Sequence, residues 1–123
     1  MNYVWAFGIG GLICVVGQLI LNGYTALELS EQDAAAATSV SLVFLSAVLT
    51  GLSVYDDLAK IAGAGTLVPI TGFANAVVSP AIEFKAEGFV TGMAAKMFTV
   101  AGPVITFGTL ASAIYGVILM LLK

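Results

Sequence analysis

The stretch that decides the reading of this chain is GAGTLVPITGFAN, residues Gly63–Asn75. Three glycines, a proline, two threonines and an asparagine interrupt an otherwise apolar run. Pro69 has no amide hydrogen and clashes with a preceding helical turn. It also pushes Val68 out of the helical region. Gly63 and Gly65 readily end a short turn over Asp57–Ala62. The segment Gly63–Pro69 is therefore not continuous helix, and a new helix is expected to start near Pro69 to Thr71. In water such a break is ordinary. In a bilayer it survives only where protein or a water-filled cavity surrounds it.

The surroundings point to a bilayer. Of 123 residues, 60% are hydrophobic and 9% charged, against about 25% charged in soluble domains. Met1–Leu27, Ala34–Tyr55, Ile61–Ile82 and Met97–Leu122 carry no charge. Each is as long as the roughly 18 to 20 residues of a spanning helix. The expected fold class is an all-α integral membrane protein, one transmembrane helical domain over residues 1–123. It has about four hydrophobic helical segments. The third, broken by glycine and proline, either spans or re-enters, and the last has Gly102-Pro103 near its start.

The first run lacks the basic residue and cleavage site of a signal peptide, so it reads as a retained helix. It should cover Asn2 to Leu21, with Tyr3 and Trp5 in an interfacial belt and Asn22-Gly23 as its stop. Ser30 and Asp33 resemble a cap on the second helix, which should run to about Val54. Asp56, Asp57 and Lys60 mark one polar turn, and Glu83, Lys85 and Glu87 another. Gly88–Thr99 is a short apolar piece interrupted by Lys96. The acidic first loop should face away from the cytoplasm, leaving Lys60 on the cytoplasmic side, and Lys123 too if four spans are present, with the Lys85 turn facing outward.

Cys14 is the single cysteine and reads as a small packing residue. The chain has no histidine and no arginine, which argues against nucleic-acid partners and histidine chemistry. Asp56-Asp57 is the only adjacent carboxylate pair and sits at a helix start, where capping explains it. No nucleophile–base pair, metal cluster or phosphate loop is visible. The expectation is no enzyme, with no catalytic, cofactor-binding or metal residue.

Polar residues inside the apolar runs are the remaining candidates. Ser39, Ser46, Thr50 and Ser53 lie seven, four and three residues apart, near one face of a helix. Thr99, Gly102, Thr106, Thr109, Ala113 and Gly116 form a longer stripe, and Gly10, Cys14 and Gly17 a shorter one. Close helix packing is the default meaning, as for Gly88 and Gly92. A water-lined path is the sharper one. Around the break, Thr66, Pro69, Thr71, Asn75 and Ser79 could offer a hydroxyl, amides and a helix end to an anion. Lys96 either snorkels to the interface or faces a cavity as a further anion contact.

Two blocks, WAFGIGGLICVVGQLIL (Trp5–Leu21) and GAGTLVPITGFANAV (Gly63–Val77), resemble the AC/AE family of stage V sporulation membrane proteins, over nearly the whole chain. Within it the short AE-type subunit fits better, because this chain begins almost directly with its first helix. The resemblance implies a subunit of a hetero-oligomeric channel in the spore inner membrane, moving dipicolinic acid, largely as its calcium chelate. It implies as partners the AC-type membrane paralogue and the AD-type soluble dipicolinate-binding protein. The bland alternative is a structural or assembly subunit that scaffolds partners and lines no path.

Overall fold

A computed structural model describes residues 2–122; Lys123, expected on the cytoplasmic side, lies outside the described residues. Six α-helices follow in order: α1 Asn2–Ala26, α2 Glu31–Gly51, α3 Val54–Ala62, α4 Ala64–Leu67, α5 Ile70–Glu83 and α6 Ala95–Leu121. A 3-10 turn at Phe84–Glu87 and a π-helical turn at Phe89–Ala94 connect the last two. The described residues contain no strand. The chain forms two compact units, Met1–Ser79 and Pro80–Lys123.

Within the first unit, α1 and α2 pack as a hairpin against α3 and α4. Helix α1 outruns its expected stop at Leu21. Gln18 donates to the Asn22 side chain at 2.9 Å, and the Thr25 hydroxyl bonds back to the Leu21 carbonyl. These local bonds carry the helix through Asn22-Gly23, although a mid-helix glycine costs about 1 kcal/mol. The Ser30 cap forms as expected: its hydroxyl oxygen accepts from the Asp33 amide at 3.2 Å. Tyr24 and Ser41 share a hydrogen bond of 2.8 Å between α1 and α2.

Helix α2 stops at Gly51 rather than near Val54, because Ser53 adopts φ 60°. Such a conformation is unfavourable for a residue with a Cβ and ends the helical run. Helix α3 then presents Tyr55, Leu58, Ala59 and Ala62 inward at helical spacing, while Asp57 and Lys60 pair at 2.8 Å on its exposed face. Gly63, at φ 50°, ends it as expected. The single turn α4 follows, and α5 begins at Ile70 directly after Pro69; Val68 keeps helical angles, φ −71° and ψ −42°, against the expectation from the proline that follows it. The third apolar run thus holds parts of three helices. At about 1.5 Å per residue, α5 alone reaches roughly 21 Å, short of the roughly 30 Å hydrocarbon core.

Two glycines of the break, Gly65 and Gly72, permit close contact. A Cβ on Gly65 would collide with the Ala6 backbone of α1, and one on Gly10 would come within 3.1 Å of the Gly65 carbonyl. A Cβ on Gly72 would collide with the Thr66 carbonyl. Gly17 meets Leu42 of α2.

In the second unit, the expected separate piece Gly88–Thr99 is not separate. The π-helical turn runs into α6, giving one helical stretch Phe89–Leu121 of 33 residues. Gly88 starts it at φ 108°, and Gly92 sits against the Phe84 carbonyl, where a Cβ would collide. The Gly88–Gly92 pair therefore packs within the chain. Gly102-Pro103 falls in the third turn of α6, and the helix continues through it.

Candidate functional site

The break between α3 and α5 is filled by a buried polar network. Ser46 and Thr50 reach it from α2, Tyr55 from α3, Thr66 from α4, and Thr71 and Asn75 from α5. Four of these, Ser46, Thr50, Thr66 and Thr71, are the buried polar side chains of the described residues. The Ser46 hydroxyl donates to the Thr71 carbonyl at 2.6 Å. That carbonyl lies in the first turn of α5, beside the break. The Tyr55 hydroxyl lies 3.1 Å from the Thr66 carbonyl and 2.8 Å from the Thr71 hydroxyl. A carbonyl only accepts, so the tyrosine proton goes to Thr66 and the Thr71 hydroxyl supplies the other bond. The Thr66 hydroxyl donates to the Gly63 carbonyl at 2.9 Å.

Thr50 lies 2.7 Å from both the Ser46 carbonyl and the Asn75 amide oxygen. One hydroxyl proton cannot serve two acceptors. The network closes without conflict when the Asn75 amide nitrogen faces Thr50, an orientation that hydrogen-bonding logic assigns. Among the described residues no buried side-chain nitrogen or oxygen lacks a partner. The network holds the broken backbone in place, as polar groups must where irregular backbone sits at membrane depth.

Two cavities adjoin it. The first, about 260 Å³, opens between α1 and α2, with leucines and isoleucines for walls and Ser46, Tyr55, Thr66 and Thr71 at its floor. The second, about 190 Å³, lies between α3 and α5 and includes Gly63, Gly72 and Asn75.

The structure gathers some of the sequence candidates and disperses others. Thr66, Thr71 and Asn75 meet in the network; Pro69 is half-buried beside it, and Ser79 is half-buried further along α5. Ser46 and Thr50 of the second-helix stripe join them. Ser39 bonds back to the Ala35 carbonyl instead. Ser53 leaves the stripe altogether, because its positive φ places it outside the helix. Thr99, Thr106 and Thr109 are exposed on α6, and Thr99 and Thr109 bond back to Ala95 and Ile105. Lys96 lines neither cavity. Its ammonium lies 3.9 Å from the centre of the Phe84 ring, a cation–π contact within the second unit. Tyr55 was not singled out in the sequence, although Tyr55, Leu58, Ala59 and Ala62 repeat at the spacing of one buried helical face.

Small and hydroxylated side chains fill the interior, while Phe7, Leu19, Phe44, Phe107 and Leu121 are exposed. That is the reverse of a water-soluble core and matches helices that pack through small residues and meet lipid with large ones. Tyr3–Ala26, Glu31–Gly51 and Phe89–Leu121 are each long and apolar enough to cross a membrane. The class is an all-α integral membrane protein.

The chain belongs to the SpoVAC/SpoVAEB sporulation membrane protein family, which it matches over residues 2–118. It is similar to stage V sporulation protein AC of Bacillus subtilis (strain 168), 47% identical over 121 residues, covering 94% of this chain and 81% of that protein. No solved structure matches it.

Proposed function

We propose that this chain is a membrane subunit of the spore dipicolinic acid channel. It carries dipicolinate, largely as calcium dipicolinate, into the developing spore and releases it at germination. The observation that carries the reading is the broken path α3–α4–α5, with hydroxyls and an amide held beside two cavities. Membership of a sporulation membrane family supplies the biological setting.

Dipicolinate is a planar aromatic dianion. Thr66, Thr71, Asn75 and Ser79, with backbone amides near Pro69, offer it neutral hydrogen-bond partners. Neutral, modest contacts suit conduction, since a site that binds too tightly does not release. The chain acts in the forespore inner membrane with an AC-type paralogue and the AD-type soluble dipicolinate-binding protein. It is the AE-type subunit and not an enzyme. With no nucleotide motif in the chain, any pumping uses an ion gradient, a partner, or nothing at all.

A second reading is favoured by the observation that every buried hydroxyl among the described residues is already bonded within the fold. On that reading the chain scaffolds its partners and lines no path.

Dipicolinate content of spores lacking only this chain tests the proposal. Low content restored by the wild-type copy supports transport; normal content with the partners still assembled overturns it. Complementation of strains lacking the AC-type or the AE-type subunit decides the subfamily. Replacing Thr71 with alanine and Asn75 with leucine should lower uptake and release. Unchanged flux in an assembled complex favours the scaffold.

A further inference from the structure

The two cavities of the first unit share a wall. Tyr55 and Thr66 line both of them. Tyr55 is buried, yet it borders empty space in two directions, unlike a close-packed core ring. Its hydroxyl is held by the Thr66 carbonyl at 3.1 Å and the Thr71 hydroxyl at 2.8 Å. The helix that carries it is nine residues long and is bounded by Ser53 at φ 60° and Gly63 at φ 50°. Positive φ at both ends marks two places where the backbone turns sharply, and a non-glycine residue there stores strain. The opposite face of α3 carries the exposed Asp57–Lys60 pair, so nothing buried anchors it from that side.

We infer that Tyr55 is a gate: its side chain separates the two cavities, and its displacement joins them into one passage through the first unit. The two hydrogen bonds are the latch. The second cavity gives the ring somewhere to go, and the bends at Ser53 and Gly63 let α3 tilt with it. In the latched state Thr66 is buried and bonded. In the unlatched state Thr66, Thr71 and Asn75 line a common polar strip facing water. The gate rests on the geometry alone; only the identity of the solute rests on the transport reading.

The test is water access to position 66, which needs no dipicolinate. Thr66→Cys is placed in a Cys14→Ser background, so that position 66 carries the single thiol of the chain. The protein is reconstituted in liposomes and labelled with a small maleimide. Adding Tyr55→Phe removes only the latch hydroxyl and should speed labelling by about tenfold, the scale set by losing a buried hydrogen bond. Adding Ala76→Leu instead fills the second cavity, which Ala76 lines, and should slow labelling below the parent. Equal labelling in the parent and a folded Tyr55→Phe variant overturns the gate. If Tyr55→Phe does not fold, Ala76→Leu decides: slower labelling supports the gate, and equal or faster labelling overturns it. Dipicolinate flux through the same liposomes is read separately. Faster labelling without flux keeps the gate and removes dipicolinate as its solute.

Discussion

Gly65 packs against Ala6 so closely that a Cβ at position 65 would collide with the Ala6 carbonyl. This contact fastens the broken segment to the first helix. The atom in the way is backbone, which cannot swing aside as a flexible side chain would. Gly65→Ala is therefore expected to destabilise the first unit by about 1–3 kcal/mol, the usual range for overpacking. Gly11→Ala, with open space around it, should be neutral or slightly stabilising, since alanine favours helix by up to about 1 kcal/mol over glycine. Thermal unfolding in detergent, followed by helical circular dichroism, compares the two. Equal effects would show that helix propensity and not close approach governs position 65.

A second prediction concerns pH. The hydrogen bond from Lys60 to Asp57, with the attraction of that carboxylate, raises the lysine above its ordinary 10.5, and Asp56 adds to this. A raised lysine stabilises the fold fully below its unfolded value and loses that contribution as pH rises through the folded value. The window is thus alkaline, and stability should not change through Lys60 below about pH 9. The pair is fully exposed, so screening keeps its effect small. Asp57→Asn should return Lys60 toward its ordinary value, observable as an earlier titration of its ε-carbon resonance. An unmoved titration would assign the shift to another source.

Much of this architecture was legible in the residues. Three of the four charge-free runs located the membrane-capable helices, while the run Ile61–Ile82 holds none; Gly63 with Pro69 located the break. What was missed followed from contacts that spacing does not carry. Asn22-Gly23 reads as a stop, but Gln18 and Thr25 supply local bonds that continue the helix. Ser53 fits the hydroxyl stripe by number and leaves it through one positive φ. Thr66, Thr71 and Asn75 were legible as candidates because polar residues stand out in an apolar run. Their meeting with Tyr55 depends on how α3 folds back, and the only sequence sign of that was the Tyr55–Leu58–Ala59–Ala62 spacing. Gly65 and Gly72 look like helix breakers in sequence, and the structure gives them a second role as contact points.

The capping serine offers a third prediction. Ser30 accepts the Asp33 amide and donates to the Asp33 carboxylate at 2.7 Å. Ser30→Ala removes both and should cost about 1 kcal/mol. Because the cap lies at the start of α2, far in sequence from the break, amide exchange should quicken in residues 31–34 and stay slow at Thr71. Exchange that quickens throughout α2 and α5 together would mean that the cap supports the whole first unit.

The last prediction separates the buried hydroxyls from the exposed ones. Ser46 is 1% exposed, and its hydroxyl is the partner of the Thr71 carbonyl. Ser46→Ala leaves that carbonyl without this donor beside a broken backbone, and should cost about 1–3 kcal/mol. Thr109 has the same kind of hydroxyl, but it bonds back to Ile105 on an exposed helix face. Thr109→Ala should change the stability of the isolated chain by no more than about 0.5 kcal/mol. Chemical unfolding of the two variants in the same detergent gives the comparison. A neutral Ser46→Ala would mean that water takes the place of the hydroxyl, which would make the network wet rather than sealed. A large loss for Thr109→Ala confined to the complex with partner subunits would place the α6 stripe at an interface between chains.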